Sequence, residues 1–595
     1  MGKVHGNRSR RAMALLVVMV LTMLIALGAY RYSFTMQAEY RVTRIHEEQV
    51  HARLAALSGL ELAAAILEDS LSQRNALGGV DFNPTLFQHV GVGGESTSTQ
   101  SETDQDVTPR QWQVSLVSSS FGNDDARESP SATHGGVDNR DIAQELSRLR
   151  FGLENESAKL HVPTLLKWER QFPGHAHAAL MRLPQAEAGP VDDWLRSQGV
   201  SPAGGLSGES RLMDRLQSGS SSRDQRVSHD WFHSQWLGGD LNQNYQTDAL
   251  ELALVESLRG EPSGGVSAGT SGSTVPSGAF SLDSSSPLAW QHYLSWHGGE
   301  RNESVAGQPR VYLNDDNLLE LHRQLTSIWP AELADFVIAM RQHGPGQASI
   351  AVDAGAGGSS STNSSKEASA SGNALTAGAW TPDFSQSASY RLTSVLDLVD
   401  VSLAVPDESS AASEAGGGTS STSNANATAK KRSLISPFSS ATTAGTNYNE
   451  RLLDESTVEL ATSLVGRVDI RHAPLQVLAS IPGIDQQLAV QIVQQRSTSV
   501  STDSAMTASP RTSIAWLLTE SLVDLARLKQ LEPYLTSRSD VYRTQAVGYR
   551  DALSPVYRCT VVIDALQRPA KIIDHKVWHA WDRGFPVESF APKLR

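Results

Sequence analysis

The chain has 595 residues, of which 39% are hydrophobic, with a formal net charge of −14 and a single cysteine, Cys559. The length allows several compact domains, but the low apolar content and the excess of Ser and Gly assign much of it to linkers. The charge argues against a protein that coats phosphate backbones, which needs clustered Lys and Arg, and one cysteine excludes an intrachain disulfide framework and a Cys-rich zinc site.

Residues 1–12 carry Lys3, Arg8, Arg10 and Arg11 with no acid, and the stretch from Ala12 to Tyr30 carries no charge. At 1.5 Å rise per residue that stretch spans roughly 28 Å, about one hydrocarbon core. The basic flank stays cytoplasmic, which puts the rest of the chain on the other side. Three readings compete: a cleaved secretory signal using the small residues Ala26 and Gly28, a plain anchor through Leu15, Leu16, Val17, Leu21 and Leu24, and a pilin-like leader cut before the apolar segment. The segment beyond the membrane separates them. Between Arg31 and Arg74 there is no Pro, and Gly59 is the only Gly. Leu60, Ala63, Ala64, Leu67 and Leu71 recur at helical spacing, with Glu39, Arg41, Arg44, Glu47, Glu48 and Arg53 on a polar face. One helix is therefore expected from Met13 to about Arg74, half in lipid and half in water.

Ser/Gly/Thr/Ala-rich segments at about 91–106, 199–225, 259–287, 344–388 and 406–447 read as flexible insertions. Between them, Trp112–Val117 reads as a strand. Arg150–Leu153 and Lys159–Val162 read as strands flanking the turn Asn155-Glu156-Ser157, and Val191–Gly199 as helical. Three β-rich runs, Val541–Arg550, Val556–Leu566 and Ala570–Trp581, read as an antiparallel meander.

An internal repeat lies between these ends. The stretch RVYLNDDNLLEL (310–321) aligns without gaps on RVDIRHAPLQVL (467–478), and LADFVIAMR (333–341) on LAVQIVQQR (488–496). It marks two related helical modules. The second contains a helical hairpin with its turn at Pro482-Gly483-Ile484. Such a turn can grip a DNA backbone, but here Asp485 follows the Gly and several Gln residues stand where cations would be needed. The first copy has no Gly in the turn and an acidic helix start at Glu332 and Asp335. Nucleic acid is accordingly not an expected partner.

The stretch Arg10-Arg11-Ala12 followed by Met13-Ala14-Leu15-Leu16 resembles the leader of type IV pilins and pseudopilins, and locally that of protein K, a minor pseudopilin of type II secretion. Further likeness to that family lies in Ala158–Val162, the Asp-Trp-Leu stretch within Val191–Gly199, 310–345, 393–403 and 451–580. Its sterile-alpha-motif-like (SAM-like) signature is matched by Ala473, Pro474, Leu478, Ile481, Pro482, Gly483, Ala489, Ile492 and Arg496. The resemblance implies cleavage by prepilin peptidase between Ala12 and Met13, then methylation of Met13. Ala12 departs from the Gly usual before the cut. Val17 replaces the Glu with which most pseudopilins neutralise a neighbour's terminal amine, as in K-family members placed at the pseudopilus tip.

The fold expected is α+β, a pilin-like long helix packed on an antiparallel sheet with an inserted helical region holding two SAM-like, helix-hairpin-helix-like modules. The expected organisation is a leader over 1–12, the membrane half of the helix over 13–30, its periplasmic half and connection over 31–90, and the early part of the β domain over 107–165. A first SAM-like region over 166–343, a mostly disordered linker over 344–450, a second module over 451–536 and the closing meander over 537–595 complete it. The function implied is that of a tip subunit that initiates pseudopilus assembly for export across the outer membrane. It would be anchored single-pass in the inner membrane, its N-terminus cytoplasmic and its bulk periplasmic. Implied partners are the minor pseudopilins I and J, the major pseudopilin and prepilin peptidase, with a secreted substrate as a further candidate.

No nucleophile elbow, P-loop or dinucleotide fingerprint occurs, and the chain is expected to be neither an enzyme nor a cofactor binder. His229/His233 and His175/His177 lack a third metal ligand, and the oxygen-rich stretch Asp240–Asp248 is the candidate for structural Ca²⁺. Asp192-Asp193 and Asp315-Asp316 read as helix N-terminal acids, and Cys559 as a small core residue. The rival readings are a membrane-anchored DNA-uptake receptor using 472–496 and an anchored hydrolase.

Overall fold

A computed structural model of the chain describes residues 6–93, 111–119, 149–200, 232, 235–236, 289–346, 374–375, 380–406, 431–440, 443–498, 511–551, 554–578 and 585. Within them the chain is α+β, with a long N-terminal helix, an antiparallel sheet and a large helical body.

Helix α1 (Gly6–Glu68) is continuous across the apolar run and the more polar segment that follows it. It stops six residues short of the expected Arg74 because Ser70 starts a new turn, Leu71–Ala76, through a capping box. The Ser70 hydroxyl accepts from the Gln73 N–H, and the Gln73 side chain accepts from the Ser70 N–H.

Strands β1 (Val90–Val92), β2 (Trp112–Ser119), β3 (Leu149–Phe151), β4 (Glu154–Asn155), β5 (Val541–Tyr549), β6 (Tyr557–Asp564) and β7 (Lys571–Trp578) form one sheet. Its spatial order is β1-β2-β5-β6-β7, with β3 also on β2 and β4 also on β5. The central pairings are antiparallel, with Ala546 opposite both Leu116 and Cys559. The C-terminal meander thus forms as read. The two runs expected around Asn155 do not pair with each other, since β3 joins β2, β4 joins β5, and Leu160–His161 pairs in parallel with Leu294–Ser295. The reason lies in the intervening segment. Glu156–Ala158 winds into a 3₁₀ turn, with the Asn155 side chain accepting from the Ser157 N–H, and carries the chain out of the sheet plane.

The C-terminal half of α1 lies on the sheet through Ala52, Ala55, Ala56, Leu60, Ala63 and Leu67, all buried. Small residues on that face allow a close approach. Gly59 sits against the Val114 side chain, and Gly548 of β5 against the Ala52 carbonyl. Burying Leu60 and Leu67 alone contributes roughly 1.5–3 kcal/mol each. The sheet core also holds Leu116, Leu153, Tyr542, Ala546, Cys559, Val561 and Ile563.

A second, larger core runs from Leu160 to Leu535 and defines the helical body. It begins inside the stretch assigned to the β domain (107–165), because Leu160, Val162 and Leu165 already point into it. The body contains α2 (Val162–Gln171), α3 (His175–Leu180), α4 (Ala188–Ser197), α5 (Leu318–Ile328), α6 (Ala331–His343), α7 (Thr443–Glu455), α8 (Leu475–Leu478), α9 (Gln486–Thr498), α10 (Trp516–Thr519) and α11 (Leu525–Leu531). Part of the 344–450 stretch expected as linker is packed here. Trp380, Leu392, Leu396, Leu398, Leu403, Val405, Leu434 and Phe438 are buried, and Ser402–Pro406 pairs antiparallel with Lys431–Ile435. Its Ser/Gly-rich surroundings hide a core contribution spaced too irregularly to show a period.

Candidate membrane helix and duplicated modules

Among the described residues one helix is long and apolar enough to cross a membrane, and its apolar window is wholly unburied. Leu15, Leu16, Val17, Leu21 and Leu24 lie along it, each more than half exposed. Ala12 and Met13 lie within the helical backbone of α1. Exposure of large apolar side chains continues past Tyr30 through Phe34, Met36, Tyr40, Val42, Ile45, Val50 and Leu54.

The repeat is structural. In the first module Val311-Tyr312 pairs in parallel with Ser456-Thr457, and in the second Val468-Asp469 pairs in parallel with Leu535-Thr536. One backbone bond extends each pairing, from Leu313 N–H to Thr457 O (2.9 Å) and from Ile470 N–H to Thr536 O (3.0 Å). Each repeat-ending arginine turns back onto the loop before its own first helix. Arg341 donates to the Asp315 carbonyl at 3.0 Å and also to the Tyr390 carbonyl, while Arg496 donates to the carbonyls of Ala473 (2.6 Å) and Ile470 (3.3 Å). The likeness reaches beyond the stretch legible in sequence. Thr393-Ser394 and Thr512-Ser513 each begin a short turn, Ser394 Oγ accepting from Leu396 N–H and Ser513 Oγ from Ala515 N–H, both at 3.2 Å.

The two modules meet at Glu300. Arg310 and Arg467, equivalent in the repeat, approach its two oxygens at 3.6 and 4.0 Å, and Glu300 is 2% exposed. Arg467 also pairs with Glu532 (3.1 Å), and Arg310 donates to the Asp454 carbonyl (3.1 Å). Burial, with Arg538 and Arg467 close by, pulls the Arg310 guanidinium below its ordinary value despite Glu300.

The signature residues do packing and turn chemistry. Ala473, Leu478, Ile481, Ala489 and Ile492 are buried in the helical core, and Pro474 is the N-cap of α8. Pro482 is buried beside Gly483, whose φ of +86° favours glycine. The Gly483 carbonyl accepts from Arg527 at 2.8 Å. Asp485 Oδ1 caps α9 by accepting from Leu488 N–H (2.8 Å), and Asp524 caps α11 by accepting from Arg527 N–H (2.7 Å). An open groove of about 300 Å³ beside the turn is lined by both carboxylates, Arg527 and Gln491.

A buried ionic web at the root of the helical body escaped the sequence reading. Lys159 Nζ lies 2.8 Å from Glu154 and 2.6 Å from Glu156, and Arg543 Nε lies 2.9 Å from Glu156. Burial alone would raise these carboxyls. For Glu154 it is overcome by Lys159, His292 and Arg543, and for Glu156 by Arg543 and Lys159, so both are held below the usual carboxylate range. Nearby, Asp469 accepts from Asn155 (2.8 Å), bonds His472 Nδ1 (2.8 Å) and is lowered by Arg471 and His472 against its burial. The one available signal was a set of charged residues inside otherwise strand-like stretches.

Other candidates resolve plainly. His175 Nε2 bonds the Ser480 carbonyl (2.9 Å), and His177 lies 3.5 Å from Asp192. Asp192 and Asp193 sit in the second turn of α4, not at its start. Asp315 precedes α5, whose N-cap is Asn317. Among the described residues no group of three or more His, Cys, Asp or Glu is placed to hold a metal. His229, His233 and Asp240–Asp248 lie outside the described residues. Cys559 is fully buried, and burial pushes its thiol up to about 12. Compared with known protein families, curated proteins and solved structures, the chain matches none of them.

Proposed function

We propose that the chain is a non-enzymatic assembly protein, a minor pseudopilin resembling protein K of type II secretion. The observation that carries this reading is the division of labour along α1. Its apolar first half stands free, while its second half lies on an antiparallel sheet into which a helical body is inserted between β4 and β5. That is the arrangement expected of a pilin-like subunit with SAM-like modules added. The helix anchors the subunit in the inner membrane with the body in the periplasm, then leaves the bilayer as the tip of a growing pseudopilus. The size of the inserted body supports a place at the tip, where nothing need stack above it.

A seam on α1 supports assembly with other long-helix subunits. Met36, Tyr40, Val50, Leu54 and Leu57 fall on one register of alternating four- and three-residue spacing, interrupted by the polar Thr43 and Glu47, and all but the half-buried Leu57 are exposed. Such spacing suits a parallel neighbour helix, which in this reading belongs to minor pseudopilin I or J or to the major pseudopilin. A secreted substrate would meet the helical body. The DNA-receptor reading loses support at the hairpin, where Asp485 already occupies the N-terminus of α9 and Asp524 faces the same groove, so a phosphate there would meet two carboxylates.

Mass spectrometry of membrane-extracted protein, with and without prepilin peptidase, tests the reading. The expected result is a peptidase-dependent N-terminus at N-methylated Met13. A start after Gly28, or a leader untouched by the peptidase, overturns it.

A further inference from the structure

The far end of α1 is gripped from outside the helix. Arg301, in the Gly299–Arg301 strand of the helical body, donates to the carbonyls of Leu67 (3.2 Å), Glu68 (3.2 Å) and Asp69 (3.0 Å). A helix leaves its last carbonyls without internal partners, and a cation there also meets the negative end of the macrodipole. From the β6–β7 turn, Arg568 donates to the Glu68 carbonyl (3.0 Å) and makes a two-pronged pair with Glu303 (2.7 and 2.9 Å).

Asp540, just ahead of β5, joins these parts. It accepts from Arg74 (2.5 Å) and from the Arg301 backbone N–H (2.7 Å), and lies 3.1 Å from the Arg301 guanidinium. Arg74, Arg301 and Asp540 are all buried. A backbone bond from Ser72 N–H to Val305 O (3.0 Å) and the close seat of Gly307 on Ser70 complete the contact.

We propose that this cluster is a rigid coupling that fixes the helical body at one angle to the membrane helix, so that displacement of α1 is delivered to the body without a swivel. The chain enters the body near Leu160 and leaves it near Leu535, where the Asn155–Asp469 bond and the Glu156 web tie its root to the sheet, so without the coupling the body would be held at that root alone and could turn about it. A buried ion cluster does not yield gradually. Partial opening strands two guanidiniums and a carboxylate away from both water and one another, which costs more than the closed state or a fully solvated one. The inference needs only that α1 be anchored in a membrane and stands apart from the pseudopilin assignment.

The test places spin labels on the full chain in nanodiscs at Gln49→Cys on α1, paired either with Arg323→Cys on the helical body or with Asp574→Cys on β7. Cys559 is buried and stays unlabelled. The expected result is one narrow distance peak for both pairs in the parent protein. In Arg301→Met and in Asp540→Asn, the helix-to-body peak is lost to a broad distribution while the helix-to-sheet peak is kept. A parent-like helix-to-body peak in both variants overturns the proposal. So does equal broadening of both pairs, which marks general loss of fold.

Discussion

Gly548→Ala is the most demanding test of how α1 meets the sheet. A Cβ built at Gly548 would lie 2.0 Å from the Ala52 carbonyl oxygen and 2.9 Å from the Ala56 nitrogen. The first distance is about 1.4 Å short of ordinary contact at 3.4 Å, and both obstacles are helix backbone, which no rotamer change can move. The helix must therefore back away from β5, loosening Ala52, Ala56, Leu60 and Ala63 together. Removing Gly from a strand returns about 0.5–1 kcal/mol, whereas overpacking costs typically ~1–3 kcal/mol and more where the backbone must shift. With the obstacle in helix backbone the cost falls at the upper end, and a net loss of about 2 kcal/mol is expected by this balance. Gly59→Ala is the control. Its obstacle is the Val114 side chain at 2.6 and 2.9 Å, stiff at χ1 but not backbone, and a helix-interior Ala returns about 1 kcal/mol. Urea unfolding of the detergent-solubilised chain, followed by circular dichroism, measures both. Gly548→Ala within about 0.5 kcal/mol of the parent, or milder than Gly59→Ala, would refute the close-approach argument.

Glu156→Gln leaves Lys159 and Arg543 with a buried neutral partner and is expected to cost about 3–5 kcal/mol, measured by the same unfolding. Because Glu154, Glu156 and Asp469 are all held below their ordinary values of 4.5, 4.5 and 3.8, their stabilisation is present above those values and is lost as pH falls below them. The urea midpoint should therefore drop steadily below about pH 4.5 and less steeply in Glu156→Gln; a flat midpoint down to about pH 3 contradicts the assignment. Arg341→Met and Arg496→Met each free loop carbonyls and should cost about 1.5–3 kcal/mol. Hydrogen exchange should rise in the altered module alone, and equal rises in both would show that the two arginines are not local clamps. Cys559 should resist a maleimide at pH 8 in the folded chain and react once the chain is unfolded, whereas rapid native labelling would disprove its burial.

Periodicity carried the long elements. An uncharged run followed by a Pro-free segment with helical spacing specified α1, and β-rich runs between short turns specified β5, β6 and β7, because both signals arise from neighbours a few residues apart. The end of α1 escaped this reading, because the apolar spacing runs on through Leu71 and conceals the Ser70–Gln73 capping box that the structure shows. The repeat showed two modules through Arg310 and Arg467, yet not that both arginines face one Glu300, nor that Thr393-Ser394 and Thr512-Ser513 extend the likeness.

The amino-acid order alone determined the membrane-length helix, the closing meander, the duplicated hairpins and the inward place of Cys559, each encoded in a spacing of a few residues. Tertiary structure decided where the strands around Asn155 pair, which part of 344–450 joins the core, and how the buried charges are matched. Leu160 pairs with Leu294, and Arg74 meets Asp540 across 466 residues of sequence. A buried ion is tolerated only where its partner arrives in space, and no local pattern records which distant residue that will be.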